Sequence, residues 1–548
     1  MINLCMMQNR FRGKGKTENQ KKIFSHAIVI PQNHQQHLSF QPLTIKAMKI
    51  FNAFLFFLII HTAFAQQDKD VISIGKIDSI QSGILHEKRK IWIHLPESYS
   101  NATFSKQRYP VIYLLDGDAH FHSIVGMMQQ LSTVNGNTVC PEMIIVGIPN
   151  TDRTRDLTPT HVTNDPPYVD SAFASTSGGG EQFMAFIEKE LIPYVESTYP
   201  TQPYRMLIGH SLGGLTVMNT VIHHRSLFNS YICIDPSMWW DREKLLKETA
   251  QALKGQSFQN VSLYLGIANT MEKGMSIQKV KKDTAASSRH IRAILALQGY
   301  LEQNKSNELH YAGKYYGDDD HGSVPLITEY DALRFIFKDY PIHFDFKDFQ
   351  DTTDLLLNKI VDHFQRISKT YGYTINPPES LINGLGYQSL STKQYSKAKS
   401  FFQYNIKQNP SSFNAYDSYG DCLDASGDLT QAIEQYKKSL SIKENPESRK
   451  KLDALENKLK SSADLNLYVG EYVLGDEGIK IKIFLKDGVL KVLATDRPES
   501  ELVPAKQHEF TVKGQTGYLL QFEVVNGKSV AINLDVPEGM FKAVLKKP

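Results

Sequence analysis

Ile208-Gly209-His210-Ser211-Leu212-Gly213-Gly214 places a serine between closely spaced glycines. Before it, Tyr204 to Ile208 is a short, largely apolar run ending in a β-branched residue, which reads as a buried strand. After it, Leu215, Met218 and Ile222 recur at helical spacing. Strand, sharp turn and helix are the context of a G-x-S-x-G elbow, whose turn exposes a serine hydroxyl at the end of a sheet. Glycine is needed at both ends because the strand and helix backbones approach closely there. So short a pattern also arises by chance in long chains, so its flanks carry the weight.

Outward from the elbow, apolar runs recur. Pro110 to Leu115 is unbroken, as in strands buried on both faces of a parallel sheet, and it ends in Asp116-Gly117-Asp118. Met143 to Ile148 ends at Pro149-Asn150, and beyond the serine come Tyr231 to Ile234, Val261 to Ile267 and Leu309 to Tyr316. Ile91, Ile93 and Leu95 alternate as in a half-buried strand. Between the runs lie helical stretches; Phe183, Ile187, Leu191 and Val195 recur every four residues. Strands alternating with helices predict an α/β fold over residues 66–345, a mostly parallel sheet covered on both faces.

Ligands gather at the carboxyl ends of the strands in such sheets, and those ends carry the chemistry here. Asn269-Thr-Met-Glu272 follows the Val261 run, and Asp318-Asp319-Asp320-His321 follows the last. Nucleophile, acid, histidine is the triad order of α/β-hydrolases. Ser211 is the expected nucleophile and His321 the expected base. Glu272 is the first candidate for the acid and Asp283, farther along the same connection, the second; a Ser-His dyad is the remaining alternative. The three aspartates before His321 read as a solvated loop. An oxyanion hole would use the Leu212 N–H and a second amide from Gly117-Asp118. His120 and His122 lack a third ligand at regular spacing, so no metal and no other cofactor is expected.

The Tyr113-Leu-Leu-Asp-Gly117, Gly209-His-Ser-Leu-Gly-Gly214, Asp235-Pro-Ser-Met-Trp-Trp240 and His321-Gly-Ser-Val324 motifs, taken together, resemble the esterase branch of the α/β-hydrolase superfamily. That branch takes in siderophore, feruloyl and acetyl-xylan esterases and mycolyltransferases, and the likeness is greatest to the siderophore-esterase-like members. The resemblance implies Ser211 as nucleophile and His321 as base. It also implies a pocket lined by Trp239, Trp240 and His210. The sequence departs from the pattern at its acid, since no aspartate follows Gly266 directly, and Asp116 stands where a histidine is commoner. Arg153, Arg155 and residues 158–180 read as an insertion bordering the cleft.

The remaining segments set the domain count. A chain of 548 residues is too long for one core. Its net charge of +3 conceals a basic N-terminus: residues 1–47 carry seven Lys/Arg and one Glu, whereas residues 66–548 have a net charge of −4. That balance excludes a nucleic-acid footprint. Met48-Lys49, the apolar run Ile50 to Ile60 and Ala63-Phe64-Ala65 describe a signal peptide over 48–65, preceded by an upstream extension over 1–47. Export to the periplasm or beyond, with cleavage near Ala65 and no stable membrane span, is the expectation. Cys140, Cys233 and Cys422 lack C-x-x-C spacing and read as buried thiols.

Past Tyr340-Pro341 the pattern is helical over 346–460. Gly386, Ala398 and Phe402 recur 34 residues later as Gly420, Ala432 and Tyr436, the spacing of tetratricopeptide repeats. These predict self-association or a protein contact. From 466 to 548 the period becomes two, with Lys486-Asp487-Gly488 and Asn526-Gly527 as hairpin turns. A small antiparallel barrel or sandwich is expected there, resembling the lipocalin-like β-domains appended to secreted serine hydrolases. The whole predicts an exported serine esterase working through an acyl-enzyme, its substrate a siderophore, an acylated saccharide or a simple acyl ester. The alternatives are an acyltransferase or amidase with the same triad, or a non-catalytic binding module on a degenerate hydrolase.

Overall fold

Eight strands of the N-terminal half form one sheet: β1 (Lys76–Gln81), β2 (Lys88–His94), β3 (Tyr109–Leu115), β4 (Ile144–Ile148), β5 (Thr201–His210), β6 (Ser230–Ile234), β7 (Ser262–Ala268) and β8 (His310–Tyr316). A computed structural model describes residues 71–164, 169–304, 307–475, 478–506 and 508–546. The signal peptide expected at 48–65 and the extension before it lie outside the described residues. The described residues divide into two units. One holds the chain up to Pro96 and Tyr109–Pro341; the other holds Glu97–Arg108 and everything from Ile342.

The sheet order is β1-β2-β4-β3-β5-β6-β7-β8. β1 and β2 pair antiparallel, β2 pairs antiparallel with β4, and every pair from β4 to β8 is parallel. Each residue of β3, β4 and β6 is buried, which is why those strands read as unbroken apolar runs. Five helices frame the site: α1 (Gly117–Ser132), α2 (Leu212–His223), α3 (Trp240–Gly255), α4 (Arg289–Gln303) and α5 (Val324–Ile336). α1 leaves the end of β3, α2 leaves β5 through Ser211, and α5 follows His321. Their N-termini therefore meet the sheet's carboxyl edge. Among the described residues, no helix is long and apolar enough to cross a membrane.

In the second unit, α6 (Leu355–Tyr371) precedes two helical hairpins, α7 (Glu379–Ser391) with α8 (Tyr395–Gln408) and α9 (Phe413–Ala425) with α10 (Leu429–Ile442). The second hairpin repeats the first after 34 residues. A β-carbon at Gly386 would lie 2.7 Å from the Phe402 ring, and one at Gly420 2.7 Å from the Tyr436 ring, so the small residue lets each pair close. Glu379 receives the Ser105 N–H at 2.7 Å, and the Lys443 ammonium reaches the Ala102 carbonyl at 3.1 Å, which binds residues 97–108 to these helices. α11 (Pro446–Leu465) leads to a closed barrel of eight antiparallel strands. They are β9 (Gly470–Leu474), β10 (Ile479–Lys486), β11 (Val489–Ala494), β12 (Ser500–Lys506), β13 (Glu509–Val512), β14 (Leu519–Val525), β15 (Lys528–Val536) and β16 (Gly539–Leu545). Tyr472, Ile483, Leu490, Phe510, Phe522 and Ile532 fill its interior with side chains. Closure into a barrel resolves the sequence's choice between barrel and sandwich. Cys140, Cys233 and Cys422 are buried free thiols.

Candidate active site

Ser211 stands between β5 and α2 with φ 59° and ψ −113°, a strained conformation for a residue with a β-carbon. The turn is tight enough that a β-carbon on Gly209 would fall 2.3 Å from the Gly213 carbonyl oxygen, and one on Gly214 2.9 Å from Pro236. The β6 loop is stitched to the same residue. Ser211 N–H donates to the Ile234 carbonyl (3.0 Å), Ser237 N–H donates to the Ser211 carbonyl (3.0 Å), and the Ser211 and Ser237 hydroxyls lie 3.4 Å apart.

That loop carries Asp235, wholly buried and at φ 39°. Its Oδ2 accepts the His321 Nδ1 hydrogen bond at 2.6 Å, and its Oδ1 accepts the Ala268 N–H at 2.9 Å. Burial alone would raise its pKa, but hydrogen bonds from His290 and His321, with the charge of His290 and the Ala268 amide, hold the carboxyl well below the usual carboxylate range. The carboxylate facing His321 is therefore Asp235, and this corrects the sequence expectation of Glu272 or Asp283. Glu272 is exposed and accepts from the Ser287 hydroxyl at 2.9 Å; Asp283 accepts from the Ser288 hydroxyl and lies 3.8 Å from Arg292. Both belong to the fabric of the β7–α4 connection. The available signal was an aspartate closing the buried Tyr231 to Ile234 strand, which pairs with the strand leading to Ser211.

His321 sits in a turn built by Asp320, whose Oδ1 accepts the Gly322 and Ser323 N–H groups, both at 2.9 Å. Asn269 ties the end of β7 to this turn, its N–H donating to the Asp319 carbonyl at 2.8 Å. Asp320 itself remains exposed, as expected of a solvated loop, while its carboxylate holds this turn. The His210 ring lies 4.4 Å from that of His321 and 5.7 Å from that of His120. Burial, reinforced by the neighbouring His321, takes the His210 pKa down to about 3, so it is neutral at physiological pH.

Leu212 opens α2 and Gly117-Asp118 open α1, and the first N–H groups of a helix have no intrahelical acceptor. The α1 opening is held by an ion pair. Arg153 meets Asp116 through Nε at 2.7 Å and Nη2 at 2.9 Å, and Asn150 adds a bond to Asp116 at 2.7 Å. Burial works against ionisation of Asp116, yet Arg153 and Asn150 prevail and lower its pKa. Arg153 Nη2 also donates to the His210 carbonyl at 3.3 Å, joining this loop to the elbow. Arg155 instead turns away, to Glu87 and Asp156.

Trp239 and Trp240 pack in the hydrophobic core, only 7% and 1% exposed. The Trp240 indole N–H donates to the Thr160 carbonyl at 3.2 Å. The cavity of about 370 Å³ that Trp240 borders is walled by Glu181, Asn219, His223 and His224, toward the far end of α2 from Ser211. Asp235, His290 and His321 bring donor atoms within 4.8 Å of one another. Hydrogen bonds from the two imidazoles to one carboxylate oxygen already account for that convergence.

Residues 82–320 match the family model described as "Putative esterase". A solved serine hydrolase from Shewanella oneidensis, described as IroE-like, is 30% identical; the alignment covers 61% of this chain and 99% of that one, with a TM-score of 0.52. The chain belongs to this esterase family. The ferri-bacillibactin esterase of Bacillus subtilis is 36% identical over 154 residues, 26% of this chain and 52% of that protein. The chain thus spans about half the length of that relative. The siderophore enterobactin esterase of Emericella nidulans is 28% identical over 233 residues, 39% of this chain and 77% of that protein.

Proposed function

We propose that this esterase cleaves its substrate through a Ser211–His321–Asp235 triad and an acyl-enzyme. The observation that carries the proposal is the 2.6 Å hydrogen bond between His321 and the buried Asp235, whose loop is bonded to the backbone of Ser211. In the reaction, His321 Nε2 takes the proton of the Ser211 hydroxyl as Oγ attacks the ester carbonyl carbon. Asp235 fixes the Nδ1–H tautomer and stabilises the imidazolium. The amides at the openings of α2 and α1 stabilise the oxyanion, as Leu212 with Gly117 or Asp118. Collapse expels the alcohol, which takes its proton from His321; water then releases the acid by the same sequence of steps.

The proposed substrate is an ester of a siderophore, supported by relatives named for bacillibactin and enterobactin esterase activity. Turnover of a catecholate trilactone and of p-nitrophenyl acetate tests both levels. Loss of both activities in Ser211→Ala supports the triad. Turnover of the simple ester without the trilactone removes the substrate and leaves the triad standing. Export is likewise proposed, from the basic, apolar and A-x-A pattern over 48–65. N-terminal sequencing of the exported protein should then begin near Gln66. We read the helical repeats as a surface for self-association or a protein contact, testable by light scattering of the purified chain.

A further inference from the structure

Asp235 Oδ2 accepts two imidazole hydrogen bonds. His321 Nδ1 lies at 2.6 Å and His290 Nε2 at 2.8 Å. We propose that His290 is a positioning residue of the triad, holding the Asp235 carboxylate against His321. The role rests on the triad reading above and adds a residue to it.

Three observations carry it. First, both carboxylate oxygens of the wholly buried Asp235 are held by hydrogen bonds. The Ala268 amide anchors Oδ1 and His290 anchors Oδ2, from two different elements. Second, the side chains differ in exposure. That of His321 is 42% exposed, that of His290 11%, and Asp235 is fully buried. The imidazole that must move a proton is thus the loosely held one, and its fixed reference is the pair behind it. Third, the His290 ring meets that of His321 edge to face, with centroids 5.3 Å apart and planes at 86°, so it also limits the tilt of the base. His290 lies in the first turn of α4, on the connection where sequence reading sought an acid. In place of an acid, that connection supplies a second donor to the acid.

With Nε2 carrying the proton, His290 satisfies a buried oxygen that would otherwise draw in water or swing away from His321. Its removal should lower kcat while leaving KM nearly unchanged, since nothing that binds substrate is lost.

The test is a double-mutant cycle in the full chain with p-nitrophenyl acetate. His290→Leu should lower kcat about tenfold or more with KM within about twofold, and His290→Gln, whose amide can still donate, should recover most of the loss. In an Asp235→Asn background, His290→Leu should change kcat by less than about twofold, because the carboxylate it positions is gone. Equal fold-losses in both backgrounds, or an unimpaired His290→Leu enzyme beside an impaired Asp235→Asn enzyme, would overturn the role of His290 alone. Wild-type turnover in Asp235→Asn would overturn the triad and this role together. Should Leu at 290 fail to fold, His290→Asn, whose amide is too short to reach Oδ2, must show the same kcat loss.

Discussion

Ser211 combines a chemical and a conformational role, and substitution can separate them. Ser211→Ala keeps the β-carbon and its strain at φ 59°, so it should abolish ester turnover while leaving Tm nearly unchanged. Ser211→Gly should abolish turnover and also raise stability by about 1 kcal/mol, because strain relief exceeds the entropy gained by the unfolded chain. Parallel thermal melts and turnover assays of the two variants check this. Asp235→Asn should lower kcat by about 10³- to 10⁴-fold, whereas Glu272→Gln and Asp283→Asn should remain near wild type. The placing of Ser211 and His321 just beyond strand ends was legible in the sequence because glycine or aspartate punctuates each strand there. Asp235 opens the Asp235-Pro-Ser-Met-Trp-Trp240 motif, yet its bond to His321 was not legible. An aspartate after an apolar run reads the same whether its carboxylate faces solvent or a histidine 86 residues away. Trp239 and Trp240 pose a related ambiguity: burial in the core and burial beside a pocket leave the same aromatic signal.

At the scale of elements, the elbow depends on backbone proximity and the α1 opening on an ion pair. Gly209→Ala would drive a methyl group into the Gly213 carbonyl, and destabilisation by about 3 kcal/mol is expected in denaturant titration. Arg153→Met leaves Asp116 buried with Asn150 but without its cation, which should cost about 3 kcal/mol and raise the Asp116 pKa. It should also lower kcat, since Arg153 joins the α1 opening to the His210 carbonyl. β1, with no buried residue, went unread, but the parallel strands were readable because burial on both faces makes their apolar runs continuous. Two barrel strands were not. β12 contains Pro504 and a register shift beside it, and β16 turns Met540, Phe541 and Val544 outward with only Ala543 buried. Neither strand shows the apolar-in, polar-out alternation from which strands are read.

At the scale of the whole hydrolase unit, stability should carry a pH dependence from one buried carboxyl group of α5. Glu329 on α5 is fully buried, its two carboxyl oxygens have no hydrogen-bond partner among the described residues, and burial raises its pKa from 4.5 to about 8. Between those values the folded chain binds a proton that the unfolded chain has released, so stability falls as pH rises from about 4.5 to 8 and levels off above. Glu329→Gln should remove up to about 4 kcal/mol of that slope, visible as a Tm that no longer declines between pH 5 and 8. The α/β class, the helical hairpins and the β-domain were all legible from changes in hydrophobic period along the chain. The pairing of residues 97–108 with the second unit was not, because a loop's partners depend on contacts distant in sequence.

Peptide mapping after treatment with a fluorophosphonate ester identifies the reactive hydroxyl itself. One phosphonyl group per chain is expected, on the Ser211 hydroxyl, with labelling strongly slowed in His321→Ala. An unmodified Ser211, or a label on another residue at undiminished rate in that variant, would contradict the triad.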